Sequence, residues 1–191
     1  MKNWKLYIWR VLEGVGIIAA IVGLVLQYQS LQEQKILGAW QLITTKASGN
    51  SGKIQALEFL NSKGVPLVGV DLSNAYLVGV NLKGAILQLA NFTKVDLSDA
   101  DFIGANLRGV NFTGANLWGV DFIGADLLDA NFKGAFLIGA DFTGANLSNA
   151  NFTGAFVYFA DFLPTPPKGY QFVVSKMPPK DGKNFIELIK K

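Results

Sequence analysis

The chain has no cysteine and no histidine among its 191 residues. The first absence removes disulfides, thiolate metal sites and cysteine nucleophiles. The second removes the commonest general base and the commonest neutral-pH metal ligand. Zinc hydrolases, Ser-His-Asp hydrolases and His-ligated haem proteins are therefore excluded. Charge is scarce too, at 16% against 50% hydrophobic residues, a balance too apolar for disorder. There is no nucleotide-binding Gly loop and no carboxylate pair in an evident cleft. A protein that is not an enzyme, with no cofactor and no metal site, is expected.

The net charge of +3 is unevenly spread. Residues 1–64 carry seven Lys/Arg against three Glu, residues 65–164 four Lys/Arg against nine Asp, and residues 165–191 six Lys against two acids. The middle has no basic face that could track phosphates, so no nucleic-acid partner is expected.

Long apolar runs are confined to the amino terminus. Residues 6–28 are mostly apolar, with Val15–Leu26 free of charge, and 23 helical residues would span about 34 Å. Trp4, Tyr7 and Trp9 at one end and Tyr28 at the other suit an interfacial aromatic belt. Arg10 and Glu13 interrupt the run, and could pair or snorkel. A cleaved signal peptide lacks a small-x-small site at Gln27-Tyr28-Gln29-Ser30, and a buried helix remains an alternative. The reading adopted is a single-pass anchor over residues 1–28, with membrane lipid as partner through residues 6–28. Its lysines weakly favour a cytoplasmic amino terminus. Residues 29–64 then form a linker and capping helix. Ile36, Trp40 and Ile43 lie on one helical stripe, 47–52 is a loop, and Lys53–Asn61 is a short helix that caps the region from residue 65 onward.

The excess of Gly (21) and Phe (14) has one source. From Val65 to Pro164 the sequence repeats every five residues: Ala/Val, Asp/Asn, Leu/Phe, a variable residue, Gly. Over twenty units the first position is always Ala or Val, and the third is Leu or Phe in nineteen. The second is Asp or Asn in fifteen, and the fifth Gly, Asn or Asp in sixteen. Such a period marks a solenoid. With units such as Ala105-Asn106-Leu107-Arg108-Gly109, residues 65–164 resemble the pentapeptide-repeat family, consensus A(D/N)LXX. The resemblance implies an all-β solenoid, a right-handed quadrilateral β-helix with four units per coil, here about five coils. Ala39-Trp40-Gln41 and Ala56–Asn61 also resemble the leader of membrane-associated cyanobacterial members, which would place the chain in a thylakoid or plasma membrane.

Residues twenty apart then share a face. Face one centres on Leu67, Leu87, Leu107, Leu127 and Leu147; face three on Leu77, Leu97, Leu117, Leu137 and Val157. Face two has Leu72, Phe92, Phe112, Phe132 and Phe152; face four has Leu82, Phe102, Phe122, Phe142 and Phe162. Two stacked Phe ladders are expected inside, about 4.8 Å between rings. Outside, face two is uniformly polar. Face three carries Tyr76, Val78, Trp118, Phe136, Ile138, Phe156, Tyr158 and Phe159, a patch of the kind that marks interfaces, unless the carboxy-terminal tail covers it. Face four aligns Asp101, Asp121, Asp141 and Asp161. These are either solvated hydrogen-bond acceptors or a docking strip for a basic partner, and no spacing supports a calcium site.

The Pro/Lys-rich tail, 165–191, offers Phe172-Val173-Val174 as a strand and Asn184–Ile189 as a short amphipathic helix. Pro164, Pro166 and Pro167 would stop the ladder. The functional expectation is a membrane-anchored scaffold or accessory subunit that presents face three to a membrane complex or another subunit. The alternative is DNA mimicry by the acidic repeat, directed at a DNA-handling enzyme such as gyrase. A third option packs the amino-terminal helix among other membrane helices through Gly14, Gly16 and Gly23.

Overall fold

The computed structural model describes the backbone of residues 3–45, 52–158, 170–174 and 185–190, and side chains within 18–45 and 52–156. The chain divides into two compact units, Met1–Trp40 and Gln41–Lys191. Helix α1, Asn3–Thr44, makes up the first and ends inside the second. It runs unbroken from the apolar stretch through Ile36, Trp40 and Ile43, and Ile43 is buried.

The single-pass anchor is not upheld. Among the described residues no helix is long and apolar enough to cross a membrane. Within the charge-free stretch Gly14–Gln32, the continuously apolar part Val15–Leu26 is 12 residues, about 18 Å of helix against a hydrocarbon core of about 30 Å. Arg10 and Glu13 bound it on one side and Gln27, Gln29 and Gln32 on the other. The aromatic residues outside it suggest a longer span than its apolar length supports. The single-pass membrane localisation is overturned with it, and the lipid partner through residues 6–28 loses its support.

Residues 65–158 form a β-helix solenoid. Second-position residues pair in parallel with those twenty ahead, as in Asn91↔Asn111 and Asp101↔Asp121, so four five-residue units make a coil. Numbered from Val65, coil one is 65–84, coil two 85–104, coil three 105–124, coil four 125–144 and coil five starts at 145. These are isolated bridges rather than long strands, because every unit must turn.

The turn explains the fifth position. Val70 N donates to Leu67 O at 3.3 Å, closing a four-residue turn whose third residue, Gly69, has φ 67°. That position of a type II turn requires positive φ. Every fifth residue from 69 to 154 has it, including Leu89 (φ 60°) and Lys94 (φ 55°), side chains that rarely adopt it. Third- and fifth-position amides donate to the next coil and second-position amides to the preceding one, as in Phe92 N to Asn111 O, Lys94 N to Thr113 O and Asn91 N to Val70 O. In the described turns from 67 to 154 the fourth-position amide has no backbone acceptor. The second-position Asp or Asn supplies one: Asn91 Oδ1 accepts from Thr93 N at 3.1 Å and Asp121 Oδ1 from Ile123 N at 2.9 Å. The Asp/Asn preference is therefore a backbone requirement before it is a surface property.

Inside, Phe92, Phe112, Phe132 and Phe152 stack at 5.3, 5.2 and 4.8 Å between centroids, and Phe102, Phe122 and Phe142 at 5.5 and 5.1 Å. The two ladders also meet across the core edge to face, as Phe112 and Phe122 do at 5.7 Å and 66°. Phe162 lies outside the described residues.

Helix α2, Lys53–Ser62, buries Ala56, Leu57 and Leu60. It also serves coil one's open edge: Glu58 Oε1 accepts from Asn81 N at 2.9 Å, and Asn61 Nδ2 donates to Lys83 O at 3.0 Å. Both groups would pair with a preceding coil elsewhere. At the other end, β1 (Ala155–Tyr158), β2 (Tyr170–Val174) and β3 (Phe185–Lys190) form an antiparallel sheet ordered β1-β3-β2. The expected helix over Asn184–Ile189 is thus largely a strand, since the free edge of β1 offers a pairing partner to an alternating apolar segment. Pro164, Pro166 and Pro167 lie outside the described residues.

Candidate functional site

Face three is a sheet whose second-position column runs Tyr76, Asp96, Asn116, Phe136, Phe156 by parallel pairing. β1 belongs to it, and β3 pairs with β1 so that Glu187 stands opposite Phe156 and Val173 of β2 opposite Glu187. The tail strands extend this face along the solenoid through backbone pairing.

The expected aromatic patch is split. Tyr76 is 54% exposed at coil one with Val78 half-buried beside it. Coils two and three interpose a polar knot: Asn116 Nδ2 donates to Asp96 Oδ1 at 3.1 Å and to Ser98 Oγ at 2.9 Å, and Ser98 Oγ donates to Asp96 Oδ1 at 2.7 Å. Beyond it Trp118 (49% exposed), Phe136 (41%), Ile138 and Phe156 gather on coils three to five. The Phe136 and Phe156 rings stack at 5.1 Å. Tyr158 is described only as backbone in β1, and Phe159 lies outside the described residues.

Three of these aromatics stand where other units carry Asp or Asn. With Tyr76 or Phe136 in place, the fourth-position amides of Val78 and Ile138 lose the side-chain acceptor that Ser98 N finds in Asp96 at 3.1 Å. The apolar side chains recover little, since they remain exposed. Face one holds a smaller patch that the periodic reading missed: Val68, Ile86 and Leu89, exposed by 52, 39 and 67%. Ile86 again replaces Asp or Asn, and Leu89 replaces Gly, so breaks in the repeat were the available signal. Gln88 Oε1, beside them, is buried and has no hydrogen-bond partner among the described residues. Leu89 lies over the next coil, 2.8 Å from where a Cβ on Gly109 would stand, so Gly109 is required by contact as well as by its φ of 65°.

On face four, Asp101, Asp121 and Asp141 form one column. Each Oδ1 accepts the fourth-position amide, at 2.9, 2.9 and 2.8 Å, leaving Oδ2 without a partner among the described residues. The Thr143 hydroxyl, 2.6 Å from Asp141 Oδ1, and the Thr143 amide hold the Asp141 carboxyl below the usual range. Asp161 lies outside the described residues. On face one, burial pushes the Asp126 carboxyl up, but the Leu128 amide, Arg108 and Asn146 outweigh it and hold that carboxyl low; Arg108 Nη1 is 3.1 Å away. The described residues contain no cluster of His, Cys, Asp or Glu fit to hold a metal ion.

The chain matches the family described as Pentapeptide repeats, in 8 copies, over residues 67–104, 90–128 and 125–162. Among solved structures it resembles alr5209, a pentapeptide repeat protein from Nostoc Pcc 7120, at 35% identity over 50% of this chain and 72% of that one, with a TM-score of 0.32. It also resembles Rfr23 from the cyanobacterium Cyanothece 51142, at 27% identity over 48% and 83%, with a TM-score of 0.27. QnrB1, a plasmid-mediated fluoroquinolone resistance protein, matches at 18% identity over 46% and 54%, with a TM-score of 0.26. No curated protein matches.

Proposed function

We propose, since the chain belongs to the pentapeptide-repeat family, that it is a non-catalytic scaffold whose aromatic face three binds another protein. One observation carries this reading. At Tyr76 and Phe136 the repeat gives up the Asp or Asn that satisfies its own turn and installs a ring that stays 54% or 41% exposed. Each exchange forfeits a hydrogen bond, about 1 kcal/mol, without burying the ring in return. A bound protein surface would bury Trp118, Phe136, Ile138 and Phe156 and offset that loss.

Affinity capture with wild type, Trp118→Asp and Phe136→Asp tests the reading. Partners held by wild type should fall at least about tenfold in both variants, with thermal melts unchanged. Equal retention by both variants overturns it. DNA mimicry fits less well: the described acidic column is three carboxylates bordered by Ile103 and Ile123, beside an aromatic face. Protection of gyrase by the purified chain would favour it instead.

A further inference from the structure

The apolar part of face three is bordered by opposite charges on its two long sides, and the borders narrow what can lie between them. On the face-four side, Asp101, Asp121 and Asp141 follow one another coil by coil, each with an Oδ2 that has no partner among the described residues. Asp99 adds a fourth carboxylate over the turn that holds Trp118, its Oδ1 2.6 Å from where a Cβ on Gly119 would stand. Residues 95–104, 115–124 and 135–144 contain no Lys or Arg to neutralise them. On the face-two side stand Lys94 and Lys133, both exposed. Trp118, Phe136 and Ile138 lie between the two borders.

The spacing along the column selects the secondary structure of an occupant. Coils succeed one another at about 4.8 Å, and the Phe136 and Phe156 rings are 5.1 Å apart. A helix laid along the solenoid axis presents a side chain to each flank about every 5.4 Å. Over three coils its rungs drift from the carboxylates by about 1.2 Å, which long Lys and Arg side chains absorb. A strand laid the same way presents a flank residue about every 6.8 Å and drifts by about 4 Å. A strand laid across the coils meets one carboxylate of the column at most. The face is three extended residues wide, about 10 Å, and a helix with its side chains is about 10–12 Å across, so one helix fills it.

Building on the reading of face three as a protein interface, we propose that it receives an amphipathic α-helix of another protein, laid along the solenoid axis. That helix carries Lys or Arg on the flank toward Asp101, Asp121 and Asp141, and Asp or Glu on the flank toward Lys94 and Lys133. Its apolar stripe covers Trp118, Phe136 and Ile138, and an Arg at the Trp118 corner adds a cation–π contact. The two borders fix the direction of the helix, because turning it end for end exchanges its flanks and sets like charges together.

Three synthetic peptides of about 18 residues, or five helical turns, test this. The first has a Leu stripe with Lys on one flank and Glu on the other. The second has the same stripe with Glu on both flanks. The third rearranges the first's composition so that Leu alternates with charge, as in a strand. Fluorescence anisotropy of the labelled peptides against the full chain should rank the first at least about tenfold tighter than the others. Asp101→Asn/Asp121→Asn/Asp141→Asn keeps every turn acceptor and removes only charge, so it should weaken the first peptide at least about tenfold without changing the melt. Ile103→Lys/Ile123→Lys, tolerated because Lys occupies this fourth position at Lys83 and Lys133, should weaken the first peptide and tighten the second. No binding by the first peptide, equal binding by the strand peptide, or indifference to the Asp→Asn changes overturns the proposal. In that event the partners captured by wild type decide the parent reading: if Trp118→Asp and Phe136→Asp release them, face three is an interface with a different occupant, and if they stay bound, both readings fail.

Discussion

Faces two and three share a backbone and use it differently. On face two, Asn91, Asn111, Asn131 and Asn151 each accept the fourth-position amide of their own unit. Their amide groups also reach between coils, as from Asn91 Nδ2 to Asp71 Oδ1 at 2.9 Å and from Asn151 Nδ2 to Asn131 Oδ1 at 3.2 Å. Every polar requirement of the turn is met within the chain, and the surface is left hydrophilic. On face three the same column breaks at Tyr76, Phe136 and Phe156, and exposed rings replace satisfied amides. A solenoid folds with either pattern, because its core depends on the first and third positions. The second position is where stability can be traded for recognition.

The comparison breaks first if the shared core is not shared. Phe112, fully buried and stacked between Phe92 and Phe132, lies under face two; Leu117, also fully buried, lies under face three. Phe112→Ala should cost about 3–5 kcal/mol and Leu117→Ala about 2–5 kcal/mol by chemical denaturation. A small loss at Leu117 would mean that face three is locally soft and its exposed rings reflect poor packing. The next effect sharpens the contrast at the surface. Asn111→Ala strips the acceptor from Thr113 N and Thr113 Oγ1 and should cost about 1–2 kcal/mol. Phe136→Asn installs that acceptor and should stabilise the chain by about 0.5–1 kcal/mol while abolishing face-three binding. Destabilisation by Phe136→Asn would show that the ring serves the fold.

Leu89→Gly removes a leucine from φ 60° and should raise stability by about 1 kcal/mol in the same assay. A loss instead would assign the Leu89 side chain, lying over Gly109, a packing role that outweighs its backbone strain. The smallest effect concerns acid. The Thr143 hydroxyl and amide depress the Asp141 carboxyl, so its ionised form contributes stability above the unfolded value of about 3.9. That contribution fades as pH falls through the lower folded pKa. Thr143→Val should raise the Asp141 pKa in an NMR titration, and an unchanged value would leave the amide as the sole cause.

Much of this was legible in the chain because a five-residue period places each unit among equivalent neighbours. The column memberships, the two Phe ladders and the fifth-position turns all follow from counting by five and twenty. The count could not reveal that the second-position Asp and Asn serve the fourth-position amide, a matter of how the turn orients N–H. Hydrogen-bond acceptance was read only for the Asp column of face four, where Asp101, Asp121 and Asp141 do accept backbone amides; face two was read as plain surface, and Ile86 and Leu89 were passed over. The count grouped Tyr76 with Trp118 and Phe136 because all face outward, whereas the Asp96–Ser98–Asn116 knot separates them. The amino-terminal stretch was misjudged for a related reason: aromatic residues at its ends suggested a span that its 12 charge-free apolar residues are too short to provide.

By itself the sequence determined the solenoid, its register and the composition of each face, since those depend on contacts repeated identically along the chain. Tertiary structure alone decided what happens where repetition stops. Glu58 of α2 reaches the Asn81 amide that has no preceding coil, and β3 pairs with β1 to carry face three past its last coil. An edge has unpaired backbone groups on one side only, and their partners come from segments outside the repeat, which no period can foretell.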